Sequence, residues 1–121
     1  MSQSAAQWSA FVYESIKNRI VWTIYDSGGI PCPINFDGKR AMPFWSSINR
    51  VEKIINNIDT YKGFKPREIN LEDFIEKWLE GLQKDNLLVG VNWTGSRAIG
   101  FDLEPEKVKA RLNYELSKTT E

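Results

Sequence analysis

Between Asn70 and Leu82 the apolar residues Leu71, Phe74, Ile75, Trp78, Leu79 and Leu82 recur three and four positions apart, the repeat of a single helical face. Asn70 is a good N-cap and Ile69 before it can staple onto Phe74; Glu72, Asp73 and Glu76 suit the positive end of the helix and Lys84 the negative end. The residues that follow change period from helical to alternating. Leu87, Val89, Val91 and Trp93 alternate with Leu88, Gly90, Asn92 and Thr94, and after Gly95-Ser96 the residues Ile99, Phe101 and Leu103 alternate with Ala98, Gly100 and Asp102. This reads as a hairpin. Keeping both apolar sets on one face requires an odd loop, so a three-residue loop is expected at Gly95 to Arg97, with Gly90 opposite Asp102 and Asn92 opposite Gly100.

The remaining segments are assigned in the same way. Ser4 can cap a first helix to about Asn18, with Trp8, Phe11, Val12 and Ile16 as its apolar stripe. Ile20 to Tyr25, Ile30 to Phe36 and a short run ending at Met42 are separated by Asp26-Ser27-Gly28-Gly29 and Asp37-Gly38, which predicts a meander of three antiparallel strands. Pro31 and Pro33 sit two apart, so one flank of their strand must be an edge and the third run should pair poorly or bend away. Ser46 or Ser47 starts a second helix bearing Ile48, Val51, Ile54, Ile55 and Ile58, and a linker with Tyr61, Gly63, Phe64 and Pro66 leads to the helix at Leu71. Glu104-Pro105 opens a last helix carrying Val108, Leu112 and Leu116. The expected fold is α+β, in the order α-β-β-β-α-α-β-β-α, with helices on a mainly antiparallel sheet of about five strands. It forms a single domain over residues 1–121, with 4–116 as ordered core and 117–121 as a frayed tail.

At 121 residues the chain can bury one core and not two. Sixteen basic and sixteen acidic residues cancel and are interspersed, which disfavours a nucleic-acid partner. No apolar run approaches the roughly 20 residues of a bilayer-spanning helix, and the start lacks the pattern of a signal peptide, so no membrane association and a cytoplasmic location are expected. The lone Cys32 fits a reducing compartment and reads as a buried small hydrophobe, not a nucleophile. Asn92-Trp93-Thr94 matches the glycosylation pattern but falls in an expected strand.

With no histidine in the chain, imidazole-based catalysis and nearly all catalytic zinc sites lose their central residue. No glycine-rich phosphate loop is present, so no catalytic residue, cofactor or metal site is assigned. Paired carboxylates are the one enzymatic route left: Asp26, Asp37, Asp102 and Glu104 lie near strand ends. Turn and cap chemistry explains Asp26, Asp37 and Glu104 more simply. Of the five tryptophans, Trp8, Trp78 and Trp93 fall on expected core faces, and Trp22 lies in a strand apolar on both sides. Trp45 is free of any periodicity and, with Tyr61 and Phe64, could line an exposed aromatic groove or pack onto the sheet. Gly90, Ala98 and Gly100 flatten one face of the last hairpin for a helix or a ligand, with Asn92 as the polar group there that needs explaining. The candidate binding surface is therefore Trp45, Tyr61, Phe64, Asn92 and Asp102.

Trp22, Asp26 and Gly29, then Pro43 to Ser47 (PFWSS), Tyr61, Pro66, Ile69, Leu71 to Phe74 (LEDF), Trp78, Leu82, Leu88 to Trp93 (LVGVNW) and Pro105 follow in an order that resembles the bacterial domain of unknown function 2750 family. The resemblance covers most of the chain and brings no catalytic residues with it. It implies a small bacterial cytosolic protein of a kind that often includes immunity proteins. Three functions follow in order of expectation. The first is a non-enzymatic protein-binding module, most concretely an immunity-type protein that neutralises a cognate toxin, with another protein as partner. The second is a small-ligand-binding domain with an aromatic pocket, and the third a carboxylate-dependent enzyme.

Overall fold

Four helices and five strands form among the residues that the computed structural model describes, 3–95 and 99–119. In chain order they are α1 (Gln3–Asn18), β1 (Ile20–Tyr25), β2 (Ala41–Phe44), α2 (Ile48–Asn57), β3 (Lys65–Asn70), α3, β4 (Leu88–Thr94), β5 (Ile99–Leu103) and α4 (Pro105–Thr119). Helix α3 runs on through Leu71–Asp73, a π turn at Phe74–Trp78 and Leu79–Lys84. The class is α+β in a single small domain, as the alternating periods require, but the order is α-β-β-α-β-α-β-β-α.

The helix ends obey local rules. Ser47, not Ser46, caps α2, its Oγ accepting from the N–H of Arg50 at 3.3 Å. Asn70 caps α3 by accepting from the N–H of Asp73 at 2.8 Å, and Ile69 and Phe74 are buried in one cluster as the staple predicts. The far end of α3 closes with Asn86 at φ 56°, Leu87 N–H donating to Leu82 O and Asn86 N–H to Gln83 O, so an asparagine takes the left-handed position usually held by glycine. Helix α1 begins at Gln3, which puts Ser4 in its first turn, and α4 continues to Thr119, past the point where fraying was expected.

Three strand assignments are corrected. Residues 30–36 form no strand; they make an irregular hairpin with the segment ahead of β2, joined by one bridge between Ile34 and Arg40. No three-stranded meander exists. The partner of β1 is β3, in the segment read as a linker, paired antiparallel from Ile20↔Asn70 to Tyr25↔Lys65. Strand β2 lies parallel to β4, which in turn pairs antiparallel with β5.

The two groups of strands join at one point. Trp22 and Trp45 exchange backbone hydrogen bonds, both at 2.8 Å. In an antiparallel ladder the next exchange would fall at Ile24 and Pro43, where proline has no N–H to give. The ladder stops there, and the buried hydroxyl of Thr23 donates to the Pro43 carbonyl at 2.8 Å instead. The sheet therefore reads β3-β1-β2-β4-β5, with β2 and β4 its parallel pair. Since Leu88 N–H donates to Arg40 O, alternation turns the barren nitrogen of Pro43 away from β4, so the parallel pairing is undisturbed. The same parity places the nitrogen of Pro66 on the outer side of β3, an exposed edge of Lys65, Pro66, Arg67 and Glu68 that is unsuited to further pairing.

Helices α1, α3 and α4 cover one face of this sheet, where Phe11, Val12, Val21, Phe44, Phe74, Leu79, Val89, Val91, Val108 and Leu112 are buried together. Helix α2 and the turn after it cover the other face with Val51, Ile54, Ile58 and Tyr61 against Ile24, Ala41, Trp45, Leu88 and Trp93. The π turn, in which Leu79 N–H reaches back to Phe74 O, moves Trp78 to the rim of the first core. Replacing Thr23→Val keeps the shape but strands the Pro43 carbonyl. The expected loss is about 1–3 kcal/mol of stability in urea denaturation, with the fold retained.

Candidate functional site

The five residues expected to form a binding surface are brought together largely inside the protein. Trp45 is fully buried, Tyr61 is buried edge-on to Phe64 with ring centroids 5.5 Å apart, and Asn92 is buried as well. Asp102 is half-buried and receives Trp93 Nε1 at 2.9 Å and Asn35 Nδ2 at 3.0 Å. No exposed aromatic groove exists at Trp45 and Tyr61. Burial pushes the Tyr61 phenol up, as expected for a ring in the second core.

The cause is a bulge that the alternating pattern conceals. Gly90 does lie opposite Asp102, but the register shifts between Val91 and Thr94, and Thr94 pairs with Ile99. Asn92 takes the extra position with φ 49° and so does not face Gly100. The three-residue loop expected at 95–97 lies mostly outside the described residues. Past the bulge the side chains change faces: Val89 and Val91 join the first core, whereas Trp93 joins the second.

Trp93 then lies across Gly90 and Gly100. A Cβ on Gly90 would stand 2.5 Å from its Cε2 and Cζ2, and one on Gly100 2.7 Å from its Cδ1. The flat face read as room for a helix or a ligand is filled by the chain's own indole. Its carbonyl accepts from Trp45 Nε1 at 2.9 Å, so both indole N–H groups are satisfied.

Asn92 is the hub of a polar network between the layers. Its Oδ1 accepts from Ser46 N–H at 3.0 Å, its Nδ2 donates to Ser46 Oγ at 2.9 Å, and its carbonyl accepts from Gln7 Nε2 at 2.9 Å. Ser46 Oγ donates to Glu14 Oε1 at 2.8 Å, and Arg50 grips Glu14 with two bonds of 2.9 Å. The Arg50 hydrogen bond, helped by Ser46 and Coulomb attraction against the opposing effect of burial, holds the Glu14 carboxyl below its ordinary value.

The other chemical candidates are held in turns or caps. Asp26 Oδ1 accepts from Gly28 N–H at 2.8 Å, as a turn aspartate should. At the second turn the work falls to Asn35 instead of Asp37: its Oδ1 accepts from the N–H of Asp37 at 2.9 Å and of Lys39 at 3.0 Å. Glu104 accepts the N–H groups of Lys107 and Val108 through its carbonyl at the start of α4. Among the described residues, no three acidic or cysteine side chains gather where a metal could sit. Cys32 is half-buried, not buried; desolvation pushes its thiol up, against the pull of Arg40. Among the described residues, no helix is long and apolar enough to cross a membrane.

What the surface does offer was not marked by any tryptophan. Phe36 is 86% exposed and Ile34 60% exposed on the hairpin ahead of β2. That hairpin is braced by Asn35, by Ala41 N–H donating to Pro33 O at 3.1 Å, and by Arg40 Nη1 donating to Cys32 O at 2.9 Å. A signal existed in the sequence: Asn35-Phe36-Asp37-Gly38 puts a large apolar side chain among turn formers, where no strand neighbour can cover it.

Two outcomes test this account of the interior. Gly90→Ala and Gly100→Ala should each cost about 1–3 kcal/mol in urea unfolding and alter tryptophan fluorescence, since neither glycine needs a positive φ and the added Cβ meets Trp93 first in both cases, with Gln7 Nε2 and the Trp93 Cα also close at Gly100. Because Glu14 has a lowered folded pKa, its contribution is present above the ordinary carboxylate value and lost as pH falls through the folded one. The stability gap between wild type and Glu14→Gln, followed by thermal melts across acidic pH, should therefore close as the pH drops.

A family model described as a protein of unknown function, DUF2750, matches residues 8–112. No curated protein matches the chain. The matched span runs from Trp8 on α1 to Leu112 on α4 and takes in every strand, the bulge and both cores. On that coverage the chain belongs to the DUF2750 family.

Proposed function

We propose that this protein is a non-enzymatic protein-binding module, in its most concrete form an immunity-type protein that binds and neutralises a cognate bacterial toxin. The observation that carries the reading is the braced hairpin that holds Phe36 86% exposed beside Ile34. An apolar ring at a fixed tip has already lost much of the freedom that binding would otherwise remove, and aromatic side chains are enriched at the centres of protein interfaces. The tryptophans and the other phenylalanines pack in or against the two cores, and Phe36 is more exposed than Ile34 or the surface tyrosines Tyr13, Tyr25 and Tyr114.

Co-expression with the protein encoded beside it is the test. Wild type should protect the cell and co-purify with that protein, while Phe36→Asp, at a site outside either core, should fold normally and lose protection by tenfold or more on the scale of an interface hot spot, about 2 kcal/mol. Full protection by the variant would sink the assignment of the hairpin, and an unprotected cell with no complex would sink the immunity reading.

Small-ligand binding is the second reading. What favours it is a cleft of about 390 Å³ lined by Arg50, Lys53, Ile54, Asn57, Trp93 and Thr94, between α2 and the end of β4. Ligand-dependent stabilisation in a thermal-shift screen would favour it over the protein-binding module.

A further inference from the structure

The cleft between α2 and the end of β4 has a chemistry of its own. Arg50, Lys53, Ile54 and Asn57 stand three, four and seven positions apart on α2, so the helix presents two cations in succession to the same cleft. None of the described residues that line it is acidic. Lys62, Lys77, Lys84 and Lys118 each reach a carboxylate three or four positions away. Lys53 cannot, because Asn49, Arg50, Asn56 and Asn57 occupy those positions around it, and it makes no ion pair with any described residue. Two like charges side by side on a helix repel, and an anion between them removes that cost.

The number of charges left over sets the charge of the occupant. Arg50 gives Nε and Nη2 to Glu14, which cancels one of the two cations, while its Nη1 makes no hydrogen bond with a described residue. One positive charge remains for a ligand, which matches a monoanion. The inner wall is apolar: Ile54, Ile58 and Trp93 are buried, and the Trp93 N–H is already donated to Asp102, so the indole has only carbon to offer. At about 390 Å³ the cleft lies near the lower end of small-molecule sites, which run from roughly 300 to 1,000 Å³.

We propose that this cleft binds a small organic monocarboxylate that carries an apolar ring. The carboxylate lies between the Lys53 ammonium and Nη1 of Arg50, and the ring covers Ile54, Ile58 and Trp93. The proposal rests on the small-ligand reading of the cleft, names its ligand class, and is independent of the Phe36 hairpin.

Titration of the isotope-labelled full chain with phenylacetate, followed through its backbone amide shifts, tests the site. Phenylacetamide, the same ring without the charge, and inorganic phosphate, an anion without a ring, are the comparison probes. Phenylacetate should move the amides of Lys53, Asn57, Trp93 and Thr94 saturably and raise the melting temperature, and the other two should do neither at equal concentration. Lys53→Met keeps the aliphatic stem at an exposed position; it should weaken phenylacetate about tenfold or more, the scale of a hydrogen bond to a charged group, with circular dichroism unchanged. Lys53→Arg should retain binding. An equal response to phenylacetamide would overturn the anionic class and leave the small-ligand reading standing. An equal response to phosphate would overturn the role of the apolar wall. Binding indifferent to Lys53→Met, or no saturable shift at the cleft with phenylacetate, would overturn the proposal outright, whereas the small-ligand reading falls only if the broader thermal-shift screen also yields no stabilising compound.

Discussion

The left-handed backbone of Asn92 in the middle of β4 is the constraint on which the rest of the structure turns. It costs something: a non-glycine residue in that conformation loses about 1–2 kcal/mol, and the two glycines needed beneath Trp93 lose roughly 0.5–1 kcal/mol each in a strand. In return the indole of Trp93 moves from the crowded first face to the second, where it is buried against Trp45, Ile54 and Ile58. An indole buries roughly 150–250 Å² and gains about 4–6 kcal/mol at ~25 cal/mol per Å², an upper figure that still exceeds the cost. The side-chain amide of Asn92 could not be buried unpaired, and Ser46 and the carbonyl of Gln7 supply its partners. Through Ser46 the same network reaches Glu14 and Arg50, so the bulge also fixes how α1 and α2 sit on opposite faces of the sheet.

Prolines set the outline of that sheet. Pro43 ends the pairing of β1 with β2 after a single exchange, and Thr23 closes the break from the side, leaving no bare carbonyl. Pro66 performs the complementary task at the outer edge, where a missing N–H blocks an added strand and costs no bond within the sheet. Pro33 gives its carbonyl to Ala41 and forms the root of the hairpin that carries Phe36. The seam and the hairpin thus both lie at positions where the backbone cannot donate.

Several polar and aromatic residues do other work than their chemistry alone suggests. Asn92, Asp102, Trp45 and Tyr61 invite a functional reading in isolation, yet each is engaged by a partner that folding brings close. Ile34 and Phe36 attract none in isolation, and folding leaves both in water. The Asn35 turn holds the segment that carries them in a fixed conformation.

The sequence by itself determined the elements whose signals are local. The cap at Asn70, the stripe from Leu71 to Leu82, proline at the start of α4 and the α+β class all follow from neighbours a few residues apart, as does a serine cap on α2 left open between Ser46 and Ser47, and the family order of landmarks is legible in the same way. Tertiary structure alone decided which strands pair. A segment containing Pro66 looks like a linker until β1 offers it a partner on one side, and the run from Ile30 to Phe36 has strand-like residues but no strand beside it to accept them. The face on which Trp93 falls was likewise beyond local pattern, because a one-residue bulge leaves the alternation of Leu87, Val89, Val91 and Trp93 intact on paper while inverting it in space. Periodicity records what each segment prefers; the long-range hydrogen bonds of Asn92, Thr23 and Asn35 select among those preferences, and their partners lie 20 to 85 positions away along the chain.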